Sequence, residues 1–421
     1  MFNQSNPSGL TTLPVKRIKL LVLASTYPRW ECDPEPGFVH ELSKRLADVF
    51  DVTVLCPHAP GALKKESFDG VQILRYHYAP QLLETLVNHG GITTNLRKNP
   101  WKWLLLPGFL LAQFWETRKL IRRFRPDIIH AHWLIPQGLI AALLSLLDNR
   151  TPPFLVTSHG ADLFALHAFP FQILKRFVVR RAAALTVVSQ AMSKELLRLG
   201  VDEKKIQVQP MGVDLHKRFI PDPLAFRSND EILFVGRLVE KKGLTYLLDA
   251  MPEILSAHPS TYLNIAGFGP EETTLKNQVQ KLNLQDKVCF LGAVGQAQLP
   301  ALYRRAAVLV APFVPAQSGD VEGLGLVVVE ALGCCCPVVV GDVPAVHDLL
   351  SPDSGWVVAA RDKKQLASAV LSVLNNHQLA KVKTEQIRKQ ISEKFSWHNV
   401  SAQYAGMIKS LLSAKAINSA K

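Results

Sequence analysis

The chain has 421 residues, of which 48% are hydrophobic and 20% are charged, and its formal net charge is +13. This composition excludes a disordered or fibrous protein and predicts two or three globular domains with large cores. No apolar run reaches the roughly 18 residues that span a bilayer. The six cysteines include no Cys-x-x-Cys pair, which favours reduced core cysteines in the cytoplasm over a metal cage.

Short apolar strands alternate with helices along the chain, and this alternation predicts parallel, doubly wound sheets. The predicted strands of the first half are Ile18–Ala24, Val52–Cys56, Val71–Arg75, Ile128–His130, Phe154–Thr157, Leu185–Ser189 and Ile206–Val208, with helices such as Phe38–Phe50 and Leu139–Leu147 between them. Residues 214–230 contain two prolines and predict a linker. The predicted strands of the second half are Ile232–Gly236, Tyr262–Ile265, Val288–Leu291, Val308–Ala311, Val338–Val340 and Gly355–Val358. The sequence therefore predicts an α/β protein with two Rossmann-like domains and a ligand crevice at the carboxyl ends of their strands.

The first half carries ten of the thirteen excess positive charges, which indicates an anionic partner. No zinc finger, recognition helix or aromatic-basic RNA motif occurs, so no nucleic acid is expected. The aromatic and apolar segment 101–115 precedes Arg118, Lys119, Arg122, Arg123 and Arg125. This pattern fits binding to an anionic membrane surface. It also fits a core helix with a solvated basic end, and both interpretations stay open.

Histidines follow two predicted strands of the first half. The segment Thr157-Ser-His159-Gly160-Ala-Asp162 follows one strand and should face the crevice. Asp162 is expected either to orient the His159 imidazole or to cap a helix. His130 and His132 end another strand, and we prefer a polar lining of the acceptor side to a metal site because no third ligand matches.

In the second half, a basic loop follows the strand 232–236. Arg237 emerges where the strand stops, and Lys242 lies at the start of a helix predicted from about Gly243 to Leu255. Cations at a helix N-terminus oppose the helix dipole unless they face an anion. An arginine and a lysine are a usual pair for a diphosphate. The alternative is a solvated basic turn.

Two glutamates flank the start of another helix. Glu322 lies in the loop after the strand Ala307–Pro312, the helix begins near Leu324 or Gly325, and Glu330 is placed about two turns inside it. The free N–H groups of a helix start suit a phosphate. Two carboxylates around such an anion site could hold hydroxyl groups on either side of a diphosphate, as in a sugar nucleotide. The alternative is a cap and a solvated helix residue.

These motifs resemble those of the retaining glycosyltransferases of family 4, also called glycosyl transferases group 1. The resemblance rests on Gly-Arg-x(4)-Lys-Gly at 236–243, on the turn 265–270, and on the two glutamates followed by Ala-Leu-Gly-x(3)-Pro at 331–337. It covers residues from about 18 to 411 and implies the GT-B fold. The implied domains are 1–215 on the acceptor side and 216–396 for the nucleotide sugar. A C-terminal helix, 397–415, should cross back to the first domain, with Ser396 as its N-cap.

The resemblance also implies the role of each site residue. The donor would be a nucleoside-diphosphate sugar, and no other cofactor is expected. The catalytic residues would be His159, Arg237, Lys242 and Glu322. The donor-binding residues would be Gly37, Gly236, Val294, Gly325, Leu326, Val327 and Glu330. Within this set, His159 would contact the donor sugar, Glu322 its hydroxyl groups, Glu330 the ribose and Val294 the base. Arg237, Lys242 and the N–H groups of Gly37, Leu326 and Val327 would hold the diphosphate.

No strict Asp-x-Asp motif occurs, and Asp320-Val-Glu322 is a poor substitute, so we expect no obligatory metal. The expected activity is transfer of a hexose, with retention, to a glycan or lipid-linked acceptor in cell-surface polysaccharide or glycolipid synthesis. The expected location is the cytoplasm, with peripheral binding to the inner face of the cytoplasmic membrane. Two alternatives are a sugar-nucleotide epimerase of GT-B-like fold and a non-catalytic nucleotide-sugar binder.

Overall fold

The computed structural model describes residues 17–30, 33, 37–88, 91–164 and 168–419. Eight strands build the first sheet: β1 (Lys19–Leu23), β2 (Asp51–Pro57), β3 (Lys65–Phe68), β4 (Val71–Tyr76), β5 (Ile128–His132), β6 (Phe154–Ser158), β7 (Ala184–Val187) and β8 (Ile206–Val208). Their order is β3-β4-β2-β1-β5-β6-β7-β8, and β3 is antiparallel to β4 while the other pairs are parallel. The central strands are buried along nearly their full length, as expected for a sheet with helices on both faces.

Among the described residues, seven α-helices accompany the first sheet. They are α1 (Phe38–Leu46), α2 (Gly91–Lys98), α3 (Leu105–Arg123), α4 (Leu139–Leu147), α5 (Ala161–Phe164), α6 (Phe169–Arg181) and α7 (Gln190–Arg198). The helix predicted over 38–50 ends at Leu46 because a tight turn precedes β2 at Asp51. Strand β3 was not predicted, since its Lys-Glu-Ser-Phe sequence is polar and lies at the exposed edge of the sheet.

The second sheet has six strands, all parallel. They are β9 (Glu231–Val235), β10 (Tyr262–Ala266), β11 (Val288–Gly292), β12 (Val308–Ala311), β13 (Val338–Gly341) and β14 (Val357–Val358), in the order β11-β10-β9-β12-β13-β14. The helices around it are α8 (Leu244–Ala257), α9 (Glu272–Lys281), α10 (Leu299–Arg305), α11 (Leu326–Gly333), α12 (Lys363–Asn375) and α13 (His377–Phe395). The prediction of two doubly wound parallel sheets is confirmed.

A last helix, α14 (Trp397–Ser419), returns to the first sheet. The Val213 N–H donates to the Phe395 carbonyl at 2.7 Å, so the chain entering α14 pairs with the end of the first half. Tyr404 is fully buried, and its hydroxyl lies 3.4 Å from Thr186 Oγ1 under the sheet. Ser396 Oγ accepts from the Asn399 N–H at 3.4 Å, in the manner of the predicted cap.

The two halves also meet at the carboxyl edges of their sheets. A Cβ atom at Gly323 would lie 2.7 Å from the His159 carbonyl oxygen, so two loops touch backbone to backbone. The Gln190 N–H donates to Asp348 Oδ2 at 2.7 Å across the same gap. The crevice is therefore narrow at these points and brings residues of both halves together.

The cysteine prediction holds for the buried Cys56, Cys334 and Cys336. It is wrong for Cys289, which is exposed because β11 is an edge strand, while Cys32 lies outside the described residues. Within the described ranges, no helix is both long enough and apolar enough to cross a membrane.

Candidate active site

Two lysine–carboxylate pairs hold the loop before α11 against the turn after β9. Lys242 Nζ lies 2.8 Å from Glu322 Oε2, and Lys241 Nζ lies 3.1 Å from Asp320 Oδ2. Both lysines belong to a single 3₁₀ turn, Glu240–Lys242. Strands β9 and β12 are neighbours in the sheet, so their following loops meet at its carboxyl edge. The structure thus brings together Lys242 and Glu322, which the sequence placed in separate motifs.

Glu322 is ionised in this setting. Burial alone would raise the pKa of its carboxyl group, but Lys242 and then Lys241 outweigh burial and lower that pKa to about 2. The Gly325 N–H also donates to the carboxylate. The carboxylate of Glu322 compensates the charge of Lys242, so the lysine does not by itself require a bound anion.

Three close contacts shape this loop. The Phe313 ring lies 4.8 Å from Lys242 Nζ, and a Cβ at Gly325 would come within 2.9 Å of the same ring. Gly325 has φ +79°, a conformation that favours glycine. At Gly243 a Cβ would lie 1.8 Å from the Pro312 carbonyl oxygen, so only glycine fits. Phe313 and the two glycines therefore fix the distance between the lysine turn and the start of α11.

Helix α11 begins at Leu326, with Gly325 as its N-cap. The N–H groups of Leu326 and Val327 lie in its first turn, where no intrahelical acceptor exists. Glu330 is the fifth residue of the helix, little more than one turn inside, because the helix starts later than predicted. These free N–H groups lie beside Glu322 and are of the kind that suits an anion.

Glu330 is buried, with 7% of its surface exposed. The hydroxyl of Tyr303 donates to Glu330 Oε2 at 2.8 Å. Burial raises the pKa of the Glu330 carboxyl to about 7, although the bond from Tyr303 acts in the opposite direction. The alternative of a solvated helix residue is therefore wrong for Glu330, and its charge can change near neutral pH.

The remaining donor-side predictions lie at neighbouring strand ends. Gly236 follows β9, and a Cβ there would lie 3.6 Å from Cδ of Lys242, so the lysine stem passes over it. Arg237 is the next residue and is half-buried. Val294 is also half-buried and lies two residues beyond β11. All of them belong to the carboxyl edge of the second sheet.

His159 faces this edge from the first half. It follows β6, and its ring contacts Phe38 and Trp133, with centroids 4.8 and 5.0 Å away. Burial lowers the pKa of His159 to about 3, so the imidazole is neutral at physiological pH. Phe38 is the first residue of α1 and follows Gly37, so the start of α1 lies beside His159.

His132 orients the imidazole of His159. Its Nδ1 lies 2.9 Å from His159 Nε2, while its Nε2 is buried with no hydrogen-bond partner among the described residues. A buried N–H without an acceptor is more costly than a free lone pair. The proton of His132 is therefore assigned to Nδ1, which leaves the proton of His159 on Nδ1.

The predicted polar lining by His130 and His132 is wrong, since both side chains are fully buried. His130 Nε2 lies 2.7 Å from Thr157 Oγ1 inside the sheet. Asp162 accepts from the N–H groups of Leu134 and His159 and from Ser158 Oγ, so it fixes the loop rather than the imidazole.

Three contributors escaped the sequence reasoning. Lys241 could have been found, because it is adjacent to Lys242 in the basic loop, and Asp320 lies in the same segment as Glu322. Tyr303 and Phe313 act through contacts between distant segments, and nothing in their local sequence marks them. His132 was found at its strand end, but its bond to His159 was not.

The model of Glycosyltransferase Family 4 matches residues 38–217, and the model of Glycosyl transferases group 1 matches residues 217–390. A relative from Methanocaldococcus jannaschii, an uncharacterized glycosyltransferase, is 34% identical over 304 residues, which cover 67% of this chain and 75% of the relative.

Two solved structures share the fold. Sucrose-phosphate synthase from Thermosynechococcus elongatus aligns with a TM-score of 0.78 at 20% identity, over 94% of this chain and all of that chain. HepE of Anabaena, solved with UDP-glucose, aligns with a TM-score of 0.71 at 16% identity, over 93% of this chain and all of that chain. The expected GT-B fold is confirmed, and the chain belongs to the group 1, family 4 glycosyltransferases.

Proposed function

We propose that this glycosyltransferase moves a hexose from a nucleoside-diphosphate sugar to a glycan or lipid-linked acceptor, with retention of configuration. The observation that carries the proposal is the meeting of the Lys242–Glu322 pair, the start of α11 and His159 at one point of the crevice. The likeness to a protein solved with UDP-glucose supports a nucleotide-sugar donor.

The diphosphate is assigned to the helix start. The N–H groups of Leu326 and Val327 suit an anion there. Lys242 is held close to this helix start by its ion pair with Glu322, in the loop before α11. Arg237 at the end of β9 adds a planar set of donors. As the bond to the sugar breaks, negative charge grows on the leaving diphosphate, and these groups stabilise it.

The sugar and ribose are assigned to carboxylates on either side of this anion site. Glu322 stays ionised and accepts from hydroxyl groups of the donor sugar. Tyr303 occupies Oε2 of Glu330, so Oε1 is the atom we assign to a ribose hydroxyl. Val294, beyond β11, is placed next to the base, and the N–H of Gly37 at the start of α1 is placed next to the diphosphate.

His159 acts as a neutral hydrogen-bond donor to the donor sugar. Its Nδ1 carries the proton because His132 occupies Nε2. A neutral donor can stabilise charge redistribution in the sugar without competing as a base for the acceptor proton. We assign that proton to the leaving phosphate, in a same-face reaction that gives retention.

We propose that these steps need no metal. The two carboxylates of the Asp-x-Glu segment, Asp320 and Glu322, are each paired with a lysine. The two lysines therefore supply the positive charge that a metal would otherwise supply beside the diphosphate. Neither an epimerase nor a binding protein is favoured by any contact in the site.

The acceptor side carries an exposed apolar face, formed by Leu82, Trp101, Trp103, Leu104, Leu111 and Trp115. The exposed fractions run from 47% at Trp101 to 87% at Leu82. The opposite stripe of α3 is buried, since Leu105, Phe109 and Ile121 pack into the core. One face of α3 therefore belongs to the core, and we propose that the exposed face is the one that contacts a membrane surface.

The apolar face lies near the crevice. Helix α3 ends just before β5 begins, so its C-terminus lies at the amino edge of the sheet. Its 19 residues span about 28 Å, which places its apolar first half near the carboxyl edge, where the crevice opens. A lipid-linked acceptor could reach the site from a membrane in contact with this face.

The basic residues at 118–125 contribute less charge to this surface than the sequence indicated. Arg118 and Arg122 both pair with Asp148, at 3.4 and 3.2 Å, and Lys119 pairs with Glu116 at 3.2 Å. Apolar contact is therefore the larger part of the proposed attraction to the inner face of the cytoplasmic membrane, and anionic lipid adds to it.

The donor class is tested with radiolabelled nucleoside-diphosphate hexoses and a mixture of glycan and lipid-linked acceptors. We expect label to move to one acceptor, with the anomeric configuration of the donor retained in the product. Thermal shift against the same donors identifies the preferred base, because binding raises apparent stability. An isomerised donor would indicate an epimerase, and binding with no product would indicate a non-catalytic binder; either outcome contradicts the proposal.

Donor affinity should depend on pH through Glu330. A pKa of about 7 means that the carboxyl is largely protonated below pH 7 and ionised above it. Only the ionised form accepts hydrogen bonds with both oxygens, so the Kd of an intact sugar nucleotide should rise by up to about tenfold per pH unit below 7. Calorimetry from pH 5.5 to 8.5 measures this, using a sugar nucleotide because its diphosphate does not titrate in that range.

Glu330→Gln is the matched control for the pH experiment. Its amide keeps the shape of the side chain but cannot ionise. The Kd of this variant should therefore be higher than that of the wild type at pH 8 and nearly independent of pH. A wild-type Kd that does not change with pH, or a Glu330→Gln protein that keeps the wild-type pH dependence, would contradict the assignment of Glu330.

Membrane binding is tested by flotation with vesicles of phosphatidylcholine and about one third phosphatidylglycerol. Trp103→Ser with Leu104→Ser removes apolar contact area from the exposed face, so we expect at least a tenfold loss of vesicle binding. Leu224→Ser with Phe226→Ser is the control, because both are exposed on the linker, at 95% and 79%. No binding by the wild-type chain, or equal loss in both variants, would exclude this surface.

A further inference from the structure

A second group of ligating side chains lies outside the donor site. His58 follows β2, His77 follows β4, and Glu84 follows the turn Gln81–Leu83; we call these three residues the His–Glu cluster. One ligand atom from each residue lies within 4.8 Å of the others. Strands β2 and β4 pair up to Pro57 and Tyr76, so the two histidines occupy adjacent positions just beyond paired strand ends.

One carboxylate faces both imidazoles. Glu84 is fully buried, its Oε2 contacts His58 Nδ1, and its Oε1 lies 3.0 Å from His77 Nδ1. The two rings lie 4.1 Å apart, centroid to centroid. The N–H of Tyr78 donates to Oε1 at 3.1 Å, which fixes the carboxylate from outside the cluster.

The hydrogen bonds of His58 leave a lone pair pointing at this carboxylate. His58 Nε2 lies 3.0 Å from the Ala62 carbonyl oxygen, which can only accept, so the proton is on Nε2. In the neutral imidazole, Nδ1 is then an acceptor that faces another acceptor, Glu84 Oε2. Either an added proton or a bound cation must lie between them.

We propose that the His–Glu cluster binds a divalent transition metal, with zinc as the best fit. Two imidazole nitrogens and one carboxylate are a common zinc set in which water takes the fourth position. The side chain of His77 is 38% exposed, which gives a metal and its water access from solvent. Magnesium and calcium prefer all-oxygen sites and fit this set poorly.

The cluster has the outer support that metal sites need. Tetrahedral zinc, at about 2.0–2.1 Å from each ligand atom, places those atoms about 3.3 Å apart. The ligand atoms now lie within 4.8 Å of one another, so each pair changes its separation by no more than about 1.5 Å on binding. Two hydrogen bonds orient the ligand side chains from outside the cluster, as such bonds do in known metal sites. His58 Nε2 donates to the Ala62 carbonyl, and the Tyr78 N–H donates to Glu84.

A metal here would tie the end of β2, the end of β4 and the end of the turn Gln81–Leu83 to one point. That turn carries Leu82 of the exposed apolar face. Zinc would therefore stabilise the acceptor-side edge of the first half and leave the donor site unchanged. This inference does not depend on the identity of the donor or acceptor.

The test uses the full, untagged chain after treatment with chelator. Zinc is titrated by calorimetry, and cobalt is titrated by visible absorption, which reports four-coordinate geometry. We expect one equivalent of either metal to bind, and saturating zinc to raise Tm by about 5 °C or more. His77→Ala should weaken binding at least tenfold, and it should fold normally because His77 is the most exposed residue of the cluster.

His347→Ala is the matched control, since His347 is an exposed histidine that pairs with a carboxylate, Asp342, at 2.7 Å. It should bind zinc as the wild type does. His77→Cys should restore binding, with the intense near-ultraviolet absorption of a cobalt–thiolate bond. No stoichiometric binding by the wild-type chain, or equal binding by wild type and His77→Ala, would overturn the proposal, because the metal would then be absent or held elsewhere.

Discussion

The ion pair between Lys242 and Glu322 is the contact on which the proposed donor site depends. It joins the turn after β9 to the loop before α11, with 14% and 13% of the two side chains exposed. Removing such charges from water is costly, and the cost is offset only when both partners are present and well placed. The loop is held in place by Phe313 packed beside Lys242 and by glycines at the two close approaches. A site arranged before the donor arrives avoids the cost of ordering these groups during binding.

The same contact links the two halves of the molecule. Gly323 follows Glu322 and touches the backbone of His159, so the loop that carries the ion pair is also the surface against which the first half rests. Helix α14 closes the other side of the molecule through Tyr404, buried beneath the first sheet. Movement of one half relative to the other would therefore change the distance between His159 and the start of α11.

The sequence was sufficient for the fold, and it placed the candidate site residues at strand ends that the structure brings to one crevice. Periodic apolar strands predicted both sheets, because strands buried on two faces read as continuous apolar runs. Glu322 and Lys242 were found from their place at strand ends, but their pairing was not, because it depends on how two distant loops meet. The burial of Glu330 against Tyr303 and the bond between His132 and His159 also arise from packing across distant segments. The exposed edge strand β3 and the delayed start of α11 were missed for a local reason, since polar strands and glycine caps give weak signals.

The most direct test of the account is a double-mutant cycle on Lys242→Met and Glu322→Gln, with Tm and donor transfer measured for all four proteins. Each single substitution should lower stability by about 3–5 kcal/mol, because it leaves one buried charge without its partner. The double variant should recover most of the lost Tm yet still fail to transfer sugar. Additive losses of stability, or a double variant with wild-type transfer, would contradict the claim that this pair both holds the loop and serves the donor.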